Sequence, residues 1–124
     1  MIMICGWGGV TAVTRTSLGG IRCIPETREM IEKSMHETVL VAQGLGIKVS
    51  DNIVDDYMKV TNTLPHETTT SLQRDIMAGR PSELEFLLGS VVSFGKELGI
   101  DTPINKFLYY SLLPQEIEAK KVSK

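Results

Sequence analysis

The chain has 124 residues, which suits one domain. Its apolar fraction of 42%, charged fraction of 23% and net charge of −2 are those of an ordinary globular protein. They argue against the basic surface that nucleic acid or an anionic membrane requires, and a domain of this size buries roughly two-thirds of its unfolded surface without staples.

No strand-period alternation persists along the chain, whereas helical periodicity does. The expected fold is therefore all-α: a compact, irregular bundle of about six helices. Residues 2–14, IMICGWGGVTAVT, are apolar. The stretch is shorter than the ~20 residues that span a bilayer, and no positive segment precedes it as in a signal peptide. A core helix is predicted there. Gly6, Gly8 and Gly9 each cost such a helix about 1 kcal/mol relative to alanine, a cost that close packing against another element offsets. Residues 17–24, SLGGIRCI, are expected as a loop. Pro25 suits the first turn of the next helix, where its missing N–H costs nothing. Glu26 and Glu29 complement that positive end.

Met30, Ile31, Met35, Val39 and Ala42 mark one face of this helix, and Gly44 stops it. Ser50 is an N-cap candidate for a helix from Asp51, with Ile53, Tyr57 and Val60 facing inward. Pro65 breaks it. A helix over about 67–78 carries Leu72 and Ile76 inside, and Gly79 ends it. Pro81 or Ser82 opens the next, running to Leu98 with Leu84, Leu87, Leu88, Val91, Val92 and Leu98 turned inward. After Gly99, Thr102–Pro103 starts a short last helix that Pro114 ends. This gives one domain over 1–114 and a frayed, charged tail over 115–124.

Cys5 and Cys23 have neither metal-ligand spacing nor a disulfide framework, and both are expected as reduced, buried thiols in a cytosolic protein. His36 and His66 are solitary, so no metal site is predicted. The GWGG stretch lacks the G-x-G-x-x-G pattern and a preceding strand, so it is no dinucleotide fingerprint. The polar turn is more suggestive. Ser71 and Asp75 are four apart and share a helix face, and Glu83 follows just past the Gly79–Pro81 turn. The three converge on one small volume if the turn is tight. Charges at helix starts are common, however, and Asp75 as a cap with Glu83 as a dipole partner explains them as well.

The stretch SLQRDIMAGRPSELEFLLGSVVSFGKELGIDTPIN closely resembles the signature of the ketopantoate reductase (2-dehydropantoate 2-reductase) family. The matching positions are Ser71, Asp75, Gly79–Arg80, Ser82–Glu83, Gly89, Gly99, Pro103 and Asn105. The upstream GVTAVTRTSLGGIR is similar to the start of the family's C-terminal domain. The resemblance implies an all-helical C-terminal substrate and dimerisation domain of a cytoplasmic, NADPH-dependent oxidoreductase of pantothenate biosynthesis. It implies that NADP(H) sits on a separate N-terminal Rossmann domain, and that a 2-keto acid, ketopantoate, lies between the two. It assigns Ser71 to the substrate carboxylate and Glu83 to orienting the catalytic lysine. It assigns Asp75 and Asn105 to fixing the turn and the last helix. Counted back from Val10, that lysine falls one residue before Met1, and none of Lys33, Lys48 or Lys59 stands in its place. Asparagines that family members often carry fall here at Ile4 and Gly8. The chain alone is therefore expected to be inactive. The alternative is a free-standing helical interaction or dimerisation module that has kept the fold without the chemistry.

Overall fold

The structure, a computed structural model, describes residues 2–122. These form seven α-helices with no strand: α1 (Ile2–Thr14), α2 (Leu18–Arg22), α3 (Pro25–Gly44), α4 (Ile53–Thr63), α5 (Ser71–Met77), α6 (Ser90–Leu98) and α7 (Pro103–Val122). A π-helical turn, Glu85–Gly89, leads into α6.

The centre of the molecule is α1, which touches α2, α3, α5, α7 and the π turn. Its glycines explain how. A Cβ on Gly6 would stand 3.0 Å from Met35 and 3.2 Å from the Ile31 carbonyl of α3. One on Gly8 would meet Leu72 of α5 at 3.3 Å, and one on Gly9 would meet Leu108 of α7 at 2.9 Å. Each glycine admits a different helix, so the helix-propensity cost is repaid by close packing on three sides. Around this axis Val10, Leu18, Ile31, Met35, Leu84, Leu88 and Leu108 form the dry centre of the core.

Several elements depart from expectation. Residues 18–22 are a helix rather than loop. The N–H groups of Leu18 and Gly19 donate to the Thr68 and His66 carbonyls, which satisfies two donors that a helix start leaves open. Helix α4 begins at Ile53, because the Ser50 hydroxyl accepts the Asn52 N–H and the Ser50 carbonyl accepts that of Ile53, making a turn first. Its buried face is Val54, Met58 and Thr61, one residue out of phase with Ile53, Tyr57 and Val60. The Trp7 indole N–H donates to Thr61 Oγ1 at 2.7 Å and Arg22 donates to the Thr61 carbonyl at 2.9 Å, which turns that face toward α1 and α2.

Helix α5 is shorter than expected, starting at Ser71 because Thr70 caps it by accepting the Gln73 N–H. The helix expected from Pro81 or Ser82 starts instead at Glu85 with the π turn and runs unbroken into α6 to Leu98, which is 37% exposed. Helix α7 runs through Pro114 to Val122, so 115–122 is not a frayed tail. Tertiary anchoring outweighs the proline, since Glu116 and Ala119 beyond it are buried. Ser123 and Lys124 of the expected tail lie outside the described residues. Cys5 is buried, as expected, but Cys23 sits at the exposed C-terminus of α2. Among the described residues no helix is long and apolar enough to cross a membrane.

Candidate functional site

Ser71 is the first residue of α5 and its position is set by Thr70. Thr70 Oγ1 lies 2.9 Å from Thr11 Oγ1 of α1, and Thr11 in turn donates to the Trp7 carbonyl. Leu72 and Ile76 bury the inner side of α5 and leave Ser71 exposed on the other. Asp75, one turn later, is held by the turn itself. The Arg80 guanidinium donates to Asp75 Oδ1 at 3.1 and 3.2 Å, and the Arg80 N–H donates to the Asp75 carbonyl at 2.9 Å. This pair is solvated, so its energetic contribution is modest and its effect is on shape. Gly79, with φ of +71°, supplies the left-handed residue that the turn requires.

Past the turn, Ser82 is tied to the far end of α7. Glu116 accepts the Ser82 N–H at 2.9 and 3.1 Å and the Ser82 hydroxyl at 3.0 Å. Glu83, the next residue, is exposed. Neither the Ser71 nor the Glu83 side chain has a hydrogen bond or ion pair among the described residues. Asp75 Oδ1, by contrast, is engaged by Arg80. Ser71 and Glu83 remain exposed. Hollows are spread over the surface, and one of about 420 Å³, lined by Gly79, Pro114, Gln115 and Ala119, borders the turn itself. One of about 530 Å³ is bordered by Arg22, Arg28, Glu32 and His36. Another of about 530 Å³ runs beside Phe107 and Tyr110.

Asn105 is fully buried at the start of α7. Its amide donates to Glu37 Oε1 at 2.9 Å and to the Ser34 carbonyl at 3.1 Å, while its Oδ1 accepts the Ser34 hydroxyl at 2.7 Å. Glu37 also accepts the backbone N–H groups of Ile104 and Asn105, each at 2.9 Å. A carboxylate from α3 thus caps the N-terminus of α7, where the helix dipole and the open N–H groups favour negative charge.

Glu37, Glu116, Thr11 and Thr70 were not among the sequence candidates. For Glu116 a signal exists: the inward stripe Asn105, Leu108, Tyr109, Leu112 continues at helical spacing to Glu116 and Ala119. Glu37 carries no comparable mark, since it lies beside the stripe of Ile31, Ser34, Met35 and Thr38. A third internal carboxylate contact joins Glu85 of the π turn to Tyr109, whose hydroxyl donates to Glu85 Oε1 at 2.5 Å. Burial, then this bond and the neighbouring carboxylate charge, push the Tyr109 phenol up to about 12. His36 and His66 are both exposed, and no His, Cys, Asp or Glu cluster among the described residues has the geometry of a metal site.

The family model described as ketopantoate reductase PanE/ApbA C terminal matches residues 1–116, which include the turn, the capped start of α7 and Glu116. The chain belongs to this family. A 2-dehydropantoate 2-reductase from Pyrobaculum aerophilum is 29% identical over 107 residues, covering 86% of this chain and 38% of that protein. Among solved structures, a dimeric ketopantoate reductase from Staphylococcus aureus matches with a TM-score of 0.89 and 26% identity, over 95% of this chain and 41% of its own. A PanE/ApbA family ketopantoate reductase from Ralstonia eutropha matches with a TM-score of 0.85 and 25% identity, over 96% of this chain and 40% of its own. The chain thus spans about two-fifths of the length of these relatives, and its fold is that of the family's helical C-terminal domain.

Proposed function

We propose that this chain is the substrate-binding helical domain of a cytoplasmic 2-dehydropantoate 2-reductase-like oxidoreductase that reduces ketopantoate to pantoate with NADPH. The observation that carries the reading is the contrast at the polar turn. Ser82, Asn105, Glu37 and Glu116 spend their polar groups inside the molecule and Asp75 is paired with Arg80 at the surface, whereas Ser71 and Glu83 are exposed and uncommitted. A hydroxyl and a carboxylate left free beside rigid anchors suit a ligand that another domain closes over.

The residues present do not fit the nicotinamide cofactor. Gly6, Gly8 and Gly9 are packed inside α1 against three other helices, and no strand precedes them to form a phosphate cradle among the described residues. In this reading NADPH belongs to a Rossmann domain, and the lysine to the segment that joins it to α1. The part of this chain is electrostatic. Ser71 donates to the 2-keto acid's carboxylate and fixes its orientation. A ketone under reduction develops alkoxide charge and needs a proton donor within hydrogen-bond reach. Glu83 holds the lysine ammonium in place and favours its charged form, which keeps that proton available.

The test is NADPH oxidation with ketopantoate by this chain alone and mixed with a Rossmann domain that carries the lysine. The chain alone is expected to give no turnover and the mixture to give turnover. In the mixture, Glu83→Ala should lower kcat about 100-fold, the usual scale for a group assisting proton transfer. Ser71→Ala should act mainly on KM. A mixture no more active than the Rossmann domain by itself would refute the reading.

A second reading is a free-standing dimerisation module. It is favoured by the exposed apolar side chains Phe86 (68%), Phe107 (64%) and Val122 (83%), which invite association. Light scattering on the pure chain would show a dimer in that case. A monodisperse monomer would count against it.

A further inference from the structure

Ser71 and Glu83 are uncommitted, yet the residue before each is bonded to a core helix. Thr70 is held by Thr11 of α1. Ser82 gives both its N–H and its hydroxyl to Glu116 of α7, and its Oγ accepts the Leu84 N–H. Glu116 is 1% exposed, with Lys120 Nζ at 4.0 Å from its Oε2. Desolvating a carboxylate is costly, and replacing a buried charged network by apolar packing is often neutral or stabilising. A buried glutamate is therefore a poor way to gain stability at this position. It is an effective way to fix direction. Ser82 is held through its N–H and hydroxyl, and its Oγ also accepts the Leu84 N–H, so the chain is restrained on both sides of Glu83.

We propose that Glu116 is a positioning residue for the candidate site. Through Ser82 it fixes the backbone from which Glu83 projects, as Thr11 does through Thr70 for Ser71. The inference rests on the functional reading above, because it gives the clamp its purpose.

Two measurements test it. In the mixture with the Rossmann domain, Glu116→Gln and Ser82→Ala should each lower kcat about tenfold, the scale of a lost hydrogen bond to a charged group. Ser82→Thr, which keeps the hydroxyl, should retain wild-type kcat. In a Glu83→Ala background Glu116→Gln should cost nothing further, since its effect runs through Glu83. An equal loss in both backgrounds would overturn the proposal.

In the chain alone, exchange of the Ser82 and Leu84 amides, bonded to Glu116 and to Ser82 Oγ, should accelerate about tenfold in Glu116→Gln while α1 keeps its protection. Unchanged exchange at Ser82 and Leu84 would overturn the proposal, as would acceleration shared equally by α1, which marks a purely structural carboxylate. A wild-type mixture without turnover would instead sink the functional reading, while faster local exchange would still establish the clamp, so the two failures are separable.

Discussion

An added methyl at Gly19 would lie 2.6 Å from the Cα of His66, with the His66 ring also in its way. Backbone yields far less readily than the tip of a side chain. Gly19→Ala should therefore cost about 2–3 kcal/mol through overpacking, read as a lower urea midpoint at unchanged m-value. Gly8→Ala should cost less, because its methyl meets Leu72 at 3.3 Å and the gain in helix propensity of about 1 kcal/mol works in its favour.

Cys5 makes a prediction about pH. Burial pushes its thiol up from 9.0 to about 12, so the folded state holds the proton more tightly than the unfolded one. The stability this contributes is complete below pH 9 and is lost as pH rises toward 12. Urea midpoints should thus fall above pH 9, with a slope of up to about 1.4 kcal/mol per pH unit from this group. Cys5→Ala should flatten that part of the curve. The same residue should resist thiol reagents in the folded chain, while exposed Cys23 reacts at once.

At the scale of elements, α7 is anchored at both ends by carboxylates, Glu37 from α3 at its start and its own Glu116 near its end. Asn105→Ala leaves the Ser34 hydroxyl without its acceptor and Glu37 with one donor fewer, all inside the core. The expected cost is about 2–4 kcal/mol by denaturant unfolding. Asn105→Asp should cost more, because it sets a second carboxylate against Glu37. The start of α7 was legible in the sequence, as were both ends of α3 and the inward Leu84, Leu87, Leu88, Val91 and Val92. Pro25, Gly44, Gly99 and Pro103 punctuate the chain by rules that act within a few residues. The phase of α4 was not legible, because Ile53–Tyr57–Val60 and Val54–Met58–Thr61 have the same spacing. The choice was made by Trp7 and Arg22, distant in sequence. The far half of α7 was hidden for the same reason: Pro114 is a local stop, overruled by a contact 34 residues away at Ser82. At the turn, the residue types and spacing were legible, but not which side chains spend their bonds internally.

At the scale of the whole molecule, α1 joins α2, α3, α5, α7 and the π turn, so it cannot open while these stay closed. Its central amides, around Gly9 and Val10, should exchange only through global unfolding. Their exchange free energy should equal the unfolding free energy from urea, whereas α4, which packs mainly on α2 and α3 and reaches α1 through the Trp7–Thr61 hydrogen bond, should exchange at lower cost. An α1 that exchanges as fast as α4 would contradict the packing described above.

The glycines of α1 bear on how such a domain drifts in evolution. Gly6 and Gly8 hold open the room for Met35 and Leu72, and Gly9 the room shared by Leu108 and Leu88. Among related chains, bulk gained at one of these places should be matched by bulk given up at its own counterpart and not at the other two. The result would be three independent sets of covarying positions radiating from a single helix.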